Sequence, residues 1–345
     1  MNLLYFNLSL DSKDSSLSFA INWLNQISTY YEKVYVITLR GTPKKLNKNI
    51  TVFRLYGSGN SFKLFALIKY YFFLIFSLSK GINRCFCHMN PLFLALTIGI
   101  LRIKKIKTIL WYTHPSVTFK LKLASYFSNK IITASKNSFP IKTYKVLPIG
   151  HAVETRLFEN FGSDKKFISC VGRISKSKNI DVLIRAYYNL NTNIKLLIIG
   201  DPLTDKDNLY MKVLTNLVSD LKIKNKVIFK NAVSRNDLVK FYNESIVHVN
   251  LTSEGFLDKV ALEAMSCGTI SLSSNEGYGN VYSNFSDKLL FKYRDEIDLS
   301  KKLEKILTMD ENERIMIESK LLKNVKKLHS IETIGKRIND VFEII

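Results

Sequence analysis

The stretch FISCVGRISKSKNIDVLIRAYYNLNTNIKLLIIG, residues 167–200, decides the fold. It begins and ends with short apolar runs, and a helix-length segment with recurring apolar residues, 179–190, lies between them. Short apolar runs are typical of buried strands, and a strand, a helix and a second strand in this order form a βαβ unit. The stretch therefore predicts a parallel sheet with helices on its faces.

The same alternation continues in both directions along the chain. Strand-like runs of the first half lie at 3–8, 33–39, 50–56, 84–89, 107–113, 130–135 and 144–149. Those of the second half lie at 167–172, 195–200, 226–231, 246–251, 269–273 and 288–293. Two such series predict an α/β protein of two doubly wound, Rossmann-like domains, 1–150 and 151–330. We expect the boundary near 147–158, where Pro and Gly interrupt the pattern.

Several protein classes are excluded by composition. Four cysteines in 345 residues are too few for a disulfide scaffold and favour a reducing compartment. Residues 2–8 are interpreted as a first strand and not as a signal peptide. The stretches 64–79 and 91–101 are too short or too interrupted to span a bilayer, so no transmembrane helix is expected. The first of them is either a helix that half-enters a membrane surface or a buried core helix.

Charge is distributed unequally between the two halves. Residues 1–150 contain 21 Lys and Arg but only three acids, Asp11, Asp14 and Glu32, whereas the remainder is nearly balanced. A lysine-rich composition does not explain the loss of acids from one half, but a negatively charged partner does. An anionic membrane, a phospholipid-type acceptor and nucleic acid are the candidates. Apolar residues next to basic ones, at 62–80 and 100–107, favour the membrane.

Two loops contain residues suited to binding a phosphorylated ligand. Arg173 and Lys178 flank a turn that leads into a helix, where two cations can hold a diphosphate without a metal. The second loop, TSEGFLDKVALEAMSCG (252–268), has acids at Glu254, Asp258 and Glu263. The acid-x-acid spacing of 205–207 is compatible with a metal site, but its polar position before a helix favours a helix-start role. No metal and no cofactor are expected.

The chain resembles glycosyltransferase family 4, which comprises retaining enzymes of the GT-B fold. The resemblance is carried by VGRISKSKN (171–179), LLIIGD (196–201), VIFKNAV (227–233) and EGFLDKVALEAMSCG (254–268), in the family's order. It continues more weakly through CHMNP (87–91), WYTH (111–114), IITAS (131–135) and LPIGHAVETRLF (147–158). The resemblance implies two domains that face each other across a cleft. It also implies that a last helix, about 331–345, crosses back to the first domain.

The resemblance assigns expected roles to the acids of the second loop. In the family, two glutamates usually eight residues apart bracket the donor, and the second binds the ribose hydroxyls. Glu263 matches the second. Glu254 is nine residues before it, so one residue is inserted. We expect Glu254 beside the transferred sugar, and the alternative gives that role to main-chain amides around Gly255 and to Asp258.

The resemblance assigns the other site residues as well. It implies that Arg173 and Lys178 bind the diphosphate and neutralise the leaving group in place of a metal. The base of the nucleotide is expected against the main chain from Asn231 to Val233. His114 is expected near the donor sugar, with a buried structural histidine as the alternative.

The predicted function is that of a metal-independent, hexosyl-type retaining glycosyltransferase in cell-surface polysaccharide synthesis. It would move a sugar from a UDP- or GDP-linked donor to a lipid-linked glycan, in the cytoplasm at the inner face of the membrane. The alternative acceptors are a simple glycolipid and a protein. A different class, a non-catalytic nucleic-acid-binding protein, would explain the basic first half but not Arg173, Lys178 and Glu263 together.

Overall fold

The protein is described here by a computed structural model that covers residues 1–11, 19–56, 63–255 and 257–345. The chain divides into two compact units. The first unit comprises Met1–Ala152 and Ile331–Ile345, and the second comprises Val153–Ser330. The boundaries between the units fall after Ala152 and after Ser330. Phe62, at the start of the predicted apolar and basic stretch, lies outside the described residues.

Strands and helices alternate along the chain. The strands are β1 (Asn2–Ser9), β2 (Lys33–Arg40), β3 (Ile50–Arg54), β4 (Ile82–His88), β5 (Lys107–Trp111), β6 (Lys130–Thr133), β7 (Val146–Pro148), β8 (Phe167–Val171), β9 (Lys195–Ile199), β10 (Val227–Lys230), β11 (Ser245–Asn250) and β12 (Ile270–Ser273). The helices are α1 (Phe19–Ser28), α2 (Lys63–Leu78), α3 (Pro91–Ile103), α4 (Phe119–Phe127), α5 (Ile180–Tyr188), α6 (Asp205–Asp220), α7 (Arg235–Asn243), α8 (Lys259–Ser266), α9 (Gly279–Tyr282), α10 (Ser286–Leu289), α11 (Glu296–Leu307), α12 (Glu311–His329) and α13 (Ile334–Glu343).

Both units are built on a parallel sheet of the doubly wound type. The first sheet has the order β3-β2-β1-β4-β5-β6-β7 and the second the order β10-β9-β8-β11-β12. Every pairing between neighbouring strands is parallel. The strands are nearly continuous apolar runs because helices cover both faces of such sheets. The predicted α/β fold with two Rossmann-like domains is confirmed.

Helix α2 has two apolar faces, of which only one is buried. Ala66, Tyr70 and Leu74 belong to the core of the first unit, and the Tyr70 hydroxyl donates to the carbonyl of Phe93 at 2.6 Å. The opposite face exposes Leu64, Phe65, Leu67, Ile68, Phe72, Ile75 and Phe76. The alternative that this stretch is a buried core helix is therefore wrong for half of its surface. Within the described residues no helix is long and apolar enough to cross a membrane.

The last helix, α13, packs into the first unit, although the second unit separates it in sequence from the rest. Arg84 of β4 is 4% exposed and donates to Asn339 at 2.7 Å and to Glu343 at 2.8 Å, both on α13. A buried guanidinium needs such partners, because an unpaired buried charge is strongly destabilising. These contacts fix α13 on the first unit, as the family resemblance implies.

Gly335 permits the close approach of α13 to α1. A Cβ atom at this position would lie 2.4 Å from the carbonyl oxygen of Gln26 and 2.8 Å from the Tyr30 ring. We expect Gly335→Val to lower the free energy of unfolding by about 1–3 kcal/mol, because overpacking forces the two helices apart. Lys336→Val is the matched control, since Lys336 is exposed on the same helix. Chemical denaturation measures both variants, and equal stability of the two would contradict the close packing.

Candidate functional site

The central strands of the second sheet define its ligand-binding edge. The strand order reverses between β8 and β11, which pair directly. Ligands of open parallel sheets bind outside the carboxyl ends of the strands at such a reversal. The loop that follows β8 contains Arg173 and Lys178, and the loop that follows β11 contains Glu254 and Asp258. The topology therefore brings the two predicted loops to one edge of the sheet.

Glycines allow the loops after β8 and β9 to touch. A Cβ at Gly200 would lie 1.9 Å from the carbonyl oxygen of Gly172, so no larger residue fits there. One residue further along each loop, a hydrogen bond joins the two main chains. The Ile174 amide donates to the carbonyl of Asp201 at 3.1 Å. This contact holds the start of the basic loop against the end of β9.

Arg173 is held in place by a carboxylate from α6. Its Nε and Nη2 atoms donate to the same oxygen of Asp207 at 2.9 and 2.7 Å. Asp207 also completes a capping box with Thr204 at the start of α6. Burial would raise the pKa of Asp207, but hydrogen bonds from Arg173, Thr204 and Leu203 outweigh it and hold that pKa below its ordinary value. The predicted helix-start role of this acid is observed, and it orients Arg173 in addition.

Lys178 joins the two loops of the site. Its Nζ atom forms an ion pair with Asp258, whose carboxylate also accepts from the Asn250 amide at 3.2 Å. The neighbouring Asn179 donates to the carbonyl of Leu251 at 3.1 Å and has a left-handed conformation, with φ of 47°. Asp258 directly precedes α8, where the helix N-terminus favours negative charge. A cation and a helix N-terminus thus meet at the strand-order reversal, an arrangement that suits an anionic ligand.

Glu263 lies inside α8 and is 7% exposed. It accepts a hydrogen bond from the Tyr242 hydroxyl at 3.4 Å, and Nη2 of Arg235 lies 3.7 Å from its other oxygen. Burial raises the pKa of the Glu263 carboxyl, while the charges of Arg235 and Lys259 oppose the rise. Desolvation also lowers the pKa of Lys259 to about 8. Glu263 is therefore not an exposed carboxylate on the surface of its helix.

Glu254 occupies a different environment from Asp258. It is exposed in the turn after β11, beside Gly255, whose φ of 88° favours glycine. Glu254 lines a pocket of about 780 Å³ together with Glu276, Lys292 and other residues of the second unit. In the described part of the chain, the residues that line this pocket do not include Arg173, Lys178 or Asp258. The geometry therefore brings Asp258, and not Glu254, against the predicted phosphate-binding lysine.

The remaining predicted residues lie on carboxyl edges as expected. The segment 231–233 follows β10, and the Ala232 amide donates to the Asp201 carboxylate at 3.1 Å. His114 belongs to the first unit, where it follows β5 and is exposed. Its Nδ1 accepts from the Ser116 amide at 3.1 Å. The alternative of a buried structural histidine is therefore wrong.

A divalent metal has no evident ligand set in the part of the chain that the structure describes. No group of three or more His, Cys, Asp or Glu side chains within it has the arrangement to hold one. Asp205 is exposed, while Asp207 is occupied by Arg173 and by the main chain of α6. All four cysteines are buried and free.

The residues that orient the site were not predicted from the sequence. They are Asp207 as the partner of Arg173, Asp258 as the partner of Lys178, and Tyr242 and Arg235 as the neighbours of Glu263. The sequence contains one signal for the position of Asp207, because Thr204 and Asp207 have the spacing of a capping box at the start of a helix. The other pairs join segments far apart in sequence and leave no local pattern.

Comparison with known proteins agrees with this architecture. Over its whole length the chain superposes on a solved Anabaena protein, Alr3699/HepE in complex with UDP, with a TM-score of 0.77, 15% identity and full coverage of both chains. This likeness and the two parallel sheets show that the chain has the GT-B fold. More narrowly, residues 154–321 match the family glycosyl transferases group 1. The family resemblance predicted from the motifs is confirmed.

Two curated relatives match parts of the chain. The D-inositol 3-phosphate glycosyltransferase of Mycolicibacterium smegmatis is 36% identical over 108 residues, which are 31% of this chain and 24% of the relative. The lipopolysaccharide 1,2-N-acetylglucosaminetransferase of Salmonella typhimurium is 29% identical over 147 residues, 41% of this chain and 38% of the relative. The chain thus matches well under half of the length of these relatives.

Proposed function

We propose that the protein transfers a sugar from a nucleotide-sugar donor that is bound by the second unit. The observation that supports this most is the pair Arg173 and Lys178 at the strand-order reversal, each oriented by a carboxylate of its own. Two oriented cations match the two phosphates of a nucleoside diphosphate, and they stabilise the charge that develops as the glycosidic bond breaks. The UDP named for the Anabaena neighbour supports a uridine nucleotide as the first candidate.

The proposal extends to the mechanism of transfer and to the role of each site residue. Cations in the place of a metal support metal-independent transfer. The glucose and UDP-glucose named for other structures of the Anabaena neighbour support a hexosyl-type sugar. The family resemblance supports retention at the anomeric carbon. Arg173 and Lys178 hold the diphosphate end of the donor, and Asp258 orients Lys178. Glu263 holds the ribose, and the main chain at 231–233 holds the base. Glu254 and His114 are proposed beside the transferred sugar, with Asp258 as the alternative to Glu254.

Ligand-induced stabilisation tests donor binding directly. A ligand that binds only the folded state stabilises it in proportion to the logarithm of its concentration over Kd. We expect UDP or a UDP-sugar to raise the unfolding temperature more than GDP or ADP at equal concentration. Lys178→Ala should abolish the rise, whereas Lys176→Ala, an exposed lysine of the same loop, should retain it. If no nucleotide raises the unfolding temperature of the intact chain, donor binding by this unit is excluded.

We further propose that the acceptor is a lipid-linked glycan and that the protein works at the inner face of the cell membrane. The exposed face of α2 supports this, because seven large apolar side chains on one helix exceed what scattered surface residues account for. Lys69 and Lys80 lie over the rings of Phe65 and Phe76, at 4.7 and 4.9 Å. Apolar side chains flanked by cations are suited to the surface of an anionic bilayer. A role in cell-surface polysaccharide synthesis would follow from such an acceptor.

Membrane binding is expected to depend on the exposed face of α2. The double change Phe72→Asn and Ile75→Asn removes side chains that are 65% and 64% exposed, so the core is left intact. We expect it to weaken sedimentation with anionic liposomes about tenfold or more, since each apolar side chain contributes roughly 1.5–3 kcal/mol when fully buried. The matched control, Leu209→Asn with Val213→Asn, changes exposed apolar residues of the second unit.

Salt and lipid charge separate the membrane from the alternatives. Binding to anionic liposomes should fall as salt rises and should be far weaker for neutral liposomes. Indifference to both liposome types, together with tight salt-sensitive binding to DNA or RNA, would reject the membrane and favour the nucleic-acid-binding alternative.

A further inference from the structure

A second basic site lies in the first unit, outside the residues proposed for sugar transfer. A pocket of about 430 Å³ opens between the end of α3, the helix α4 and the segment that precedes β7. Arg102, Lys122 and Lys145 line it, together with the exposed rings of Tyr126 and Tyr144. None of the residues that line this pocket in the described chain is an acid.

The three cations have no carboxylate partner among the described residues. No ion pair within 4.0 Å joins Arg102, Lys122 or Lys145 to an acid in that part of the chain. The sequence offers few such partners nearby, because no acid occurs between Glu32 and Glu154. Burial lowers the pKa of Lys145, and the charge of Arg102 lowers it further. Like charges are thus held close enough to repel each other, which an anion between them would relieve.

Aromatic contacts hold two of the cations in place. The guanidinium of Arg102 lies 5.4 Å from the ring centre of Phe127, and Nζ of Lys145 lies 5.7 Å from that of Tyr126. The Lys145 ammonium also donates to the carbonyl of Tyr126. Cations fixed by packing lose less conformational entropy when they bind a ligand than freely moving lysines do.

The pocket lies at the edge of the sheet opposite to His114. Arg102 belongs to the last turn of α3, just before the start of β5, and Lys145 directly precedes the start of β7. Both therefore lie near the amino ends of the strands, whereas His114 follows the carboxyl end of β5. Ligands of doubly wound sheets bind at the carboxyl edge, so this pocket is separate from that binding edge.

We infer that this pocket binds a phosphate group through Arg102, Lys122 and Lys145. Arginine forms paired hydrogen bonds with phosphate oxygens, and the two ammonium groups add charge from other directions. The phosphate belongs either to a lipid headgroup or to a soluble phosphate ester, since the recognition chemistry is the same. Tyrosines that are 71% and 88% exposed at the pocket suit the headgroup layer of a membrane. The inference does not depend on the proposed sugar transfer.

The test compares two charge-matched double variants of the full chain. Arg102→Gln with Lys145→Gln removes two cations of the pocket, and Lys48→Gln with Lys136→Gln removes two exposed cations elsewhere in the first unit. The probes are inorganic phosphate, glycerol 3-phosphate and vesicles that contain phosphatidic acid. We expect saturable binding of at least one probe to weaken more than tenfold in the pocket variant and less than twofold in the control.

The pattern across the probes identifies the source of the phosphate. Loss of binding to vesicles alone assigns a lipid headgroup, and loss of binding to the soluble probes assigns a soluble phosphate. Equal losses in the two double variants would show diffuse attraction and overturn the site, as would the absence of saturable binding to every probe. The variant Lys122→Gln is a second test of the pocket. Lys122 is exposed on α4, so its replacement leaves the core intact. Unchanged binding in both pocket variants would overturn the inference too.

Discussion

Replacement of Arg173 or Lys178 by alanine is expected to lower the turnover of the nucleotide-sugar by about a hundredfold or more. Removal of one donor that stabilises developing charge typically costs about 3–4 kcal/mol in the transition state. The fold should survive, because Asp207 keeps its main-chain partners Leu203 and Thr204 when Arg173 is removed. The measurement is release of the nucleoside diphosphate under saturating donor.

Two controls make this expectation specific. Lys176→Ala removes an exposed cation of the same loop and should change turnover less than about twofold, as surface charges contribute little. Addition of EDTA should leave the rate of the unmodified protein nearly unchanged. Complete inhibition by EDTA that added metal restores would reject the metal-free mechanism, and an equal loss in all three alanine variants would reject the specific role of the pair.

Replacement of Glu263 by glutamine is expected to weaken nucleotide binding more than it slows the transfer step. A carboxylate that binds two ribose hydroxyls accepts stronger hydrogen bonds than an amide does. The variant keeps the shape of the buried side chain and its contact with the Tyr242 hydroxyl. Titration of the protein with nucleotide at neutral pH measures the change in Kd. Tyr242→Phe removes the hydroxyl that contacts Glu263, so its effect on Kd shows how much the orientation of the carboxylate contributes.

The same residue predicts a pH dependence of binding. Burial raises the pKa of Glu263, so its carboxylate is lost at a higher pH than that of an ordinary glutamate. Nucleotide affinity should therefore fall as the pH decreases through that raised value, and Glu263→Gln should remove the dependence. A glutamine variant with the same pH profile as the unmodified protein would assign the dependence to another group.

The acid beside the sugar is identified by a direct comparison of two variants. Glu254→Gln should mainly lower turnover if Glu254 lies at the transferred sugar. Asp258→Asn should instead change donor binding, since its carboxylate pairs with Lys178. A Glu254 variant with normal turnover, beside an inactive Asp258 variant, would assign the role to Asp258.

The order of most strands and helices was determined by the sequence itself, but the strand-like run 288–293 forms no strand and instead begins in α10. Apolar runs such as 167–172 and 195–200, with a helical period between them, predict the βαβ unit that β8, α5 and β9 form. Hydrophobic periodicity is a local property, so it can be read without knowledge of the rest of the chain. The basic loop after β8 and the family motifs were equally local. The family and its fold were therefore available before the structure.

The partners within the site were decided only by the tertiary structure. Arg173 meets a carboxylate 34 positions away and Lys178 meets one 80 positions away, because the strand order places three loops at one edge. The sequence shows the residues of each loop but not which loops meet. It likewise showed α2 as apolar apart from its lysines, whereas packing against α3 and the sheet divided it into a buried and an exposed face. Such long-range pairings depend on chain topology, which local periodicity does not encode.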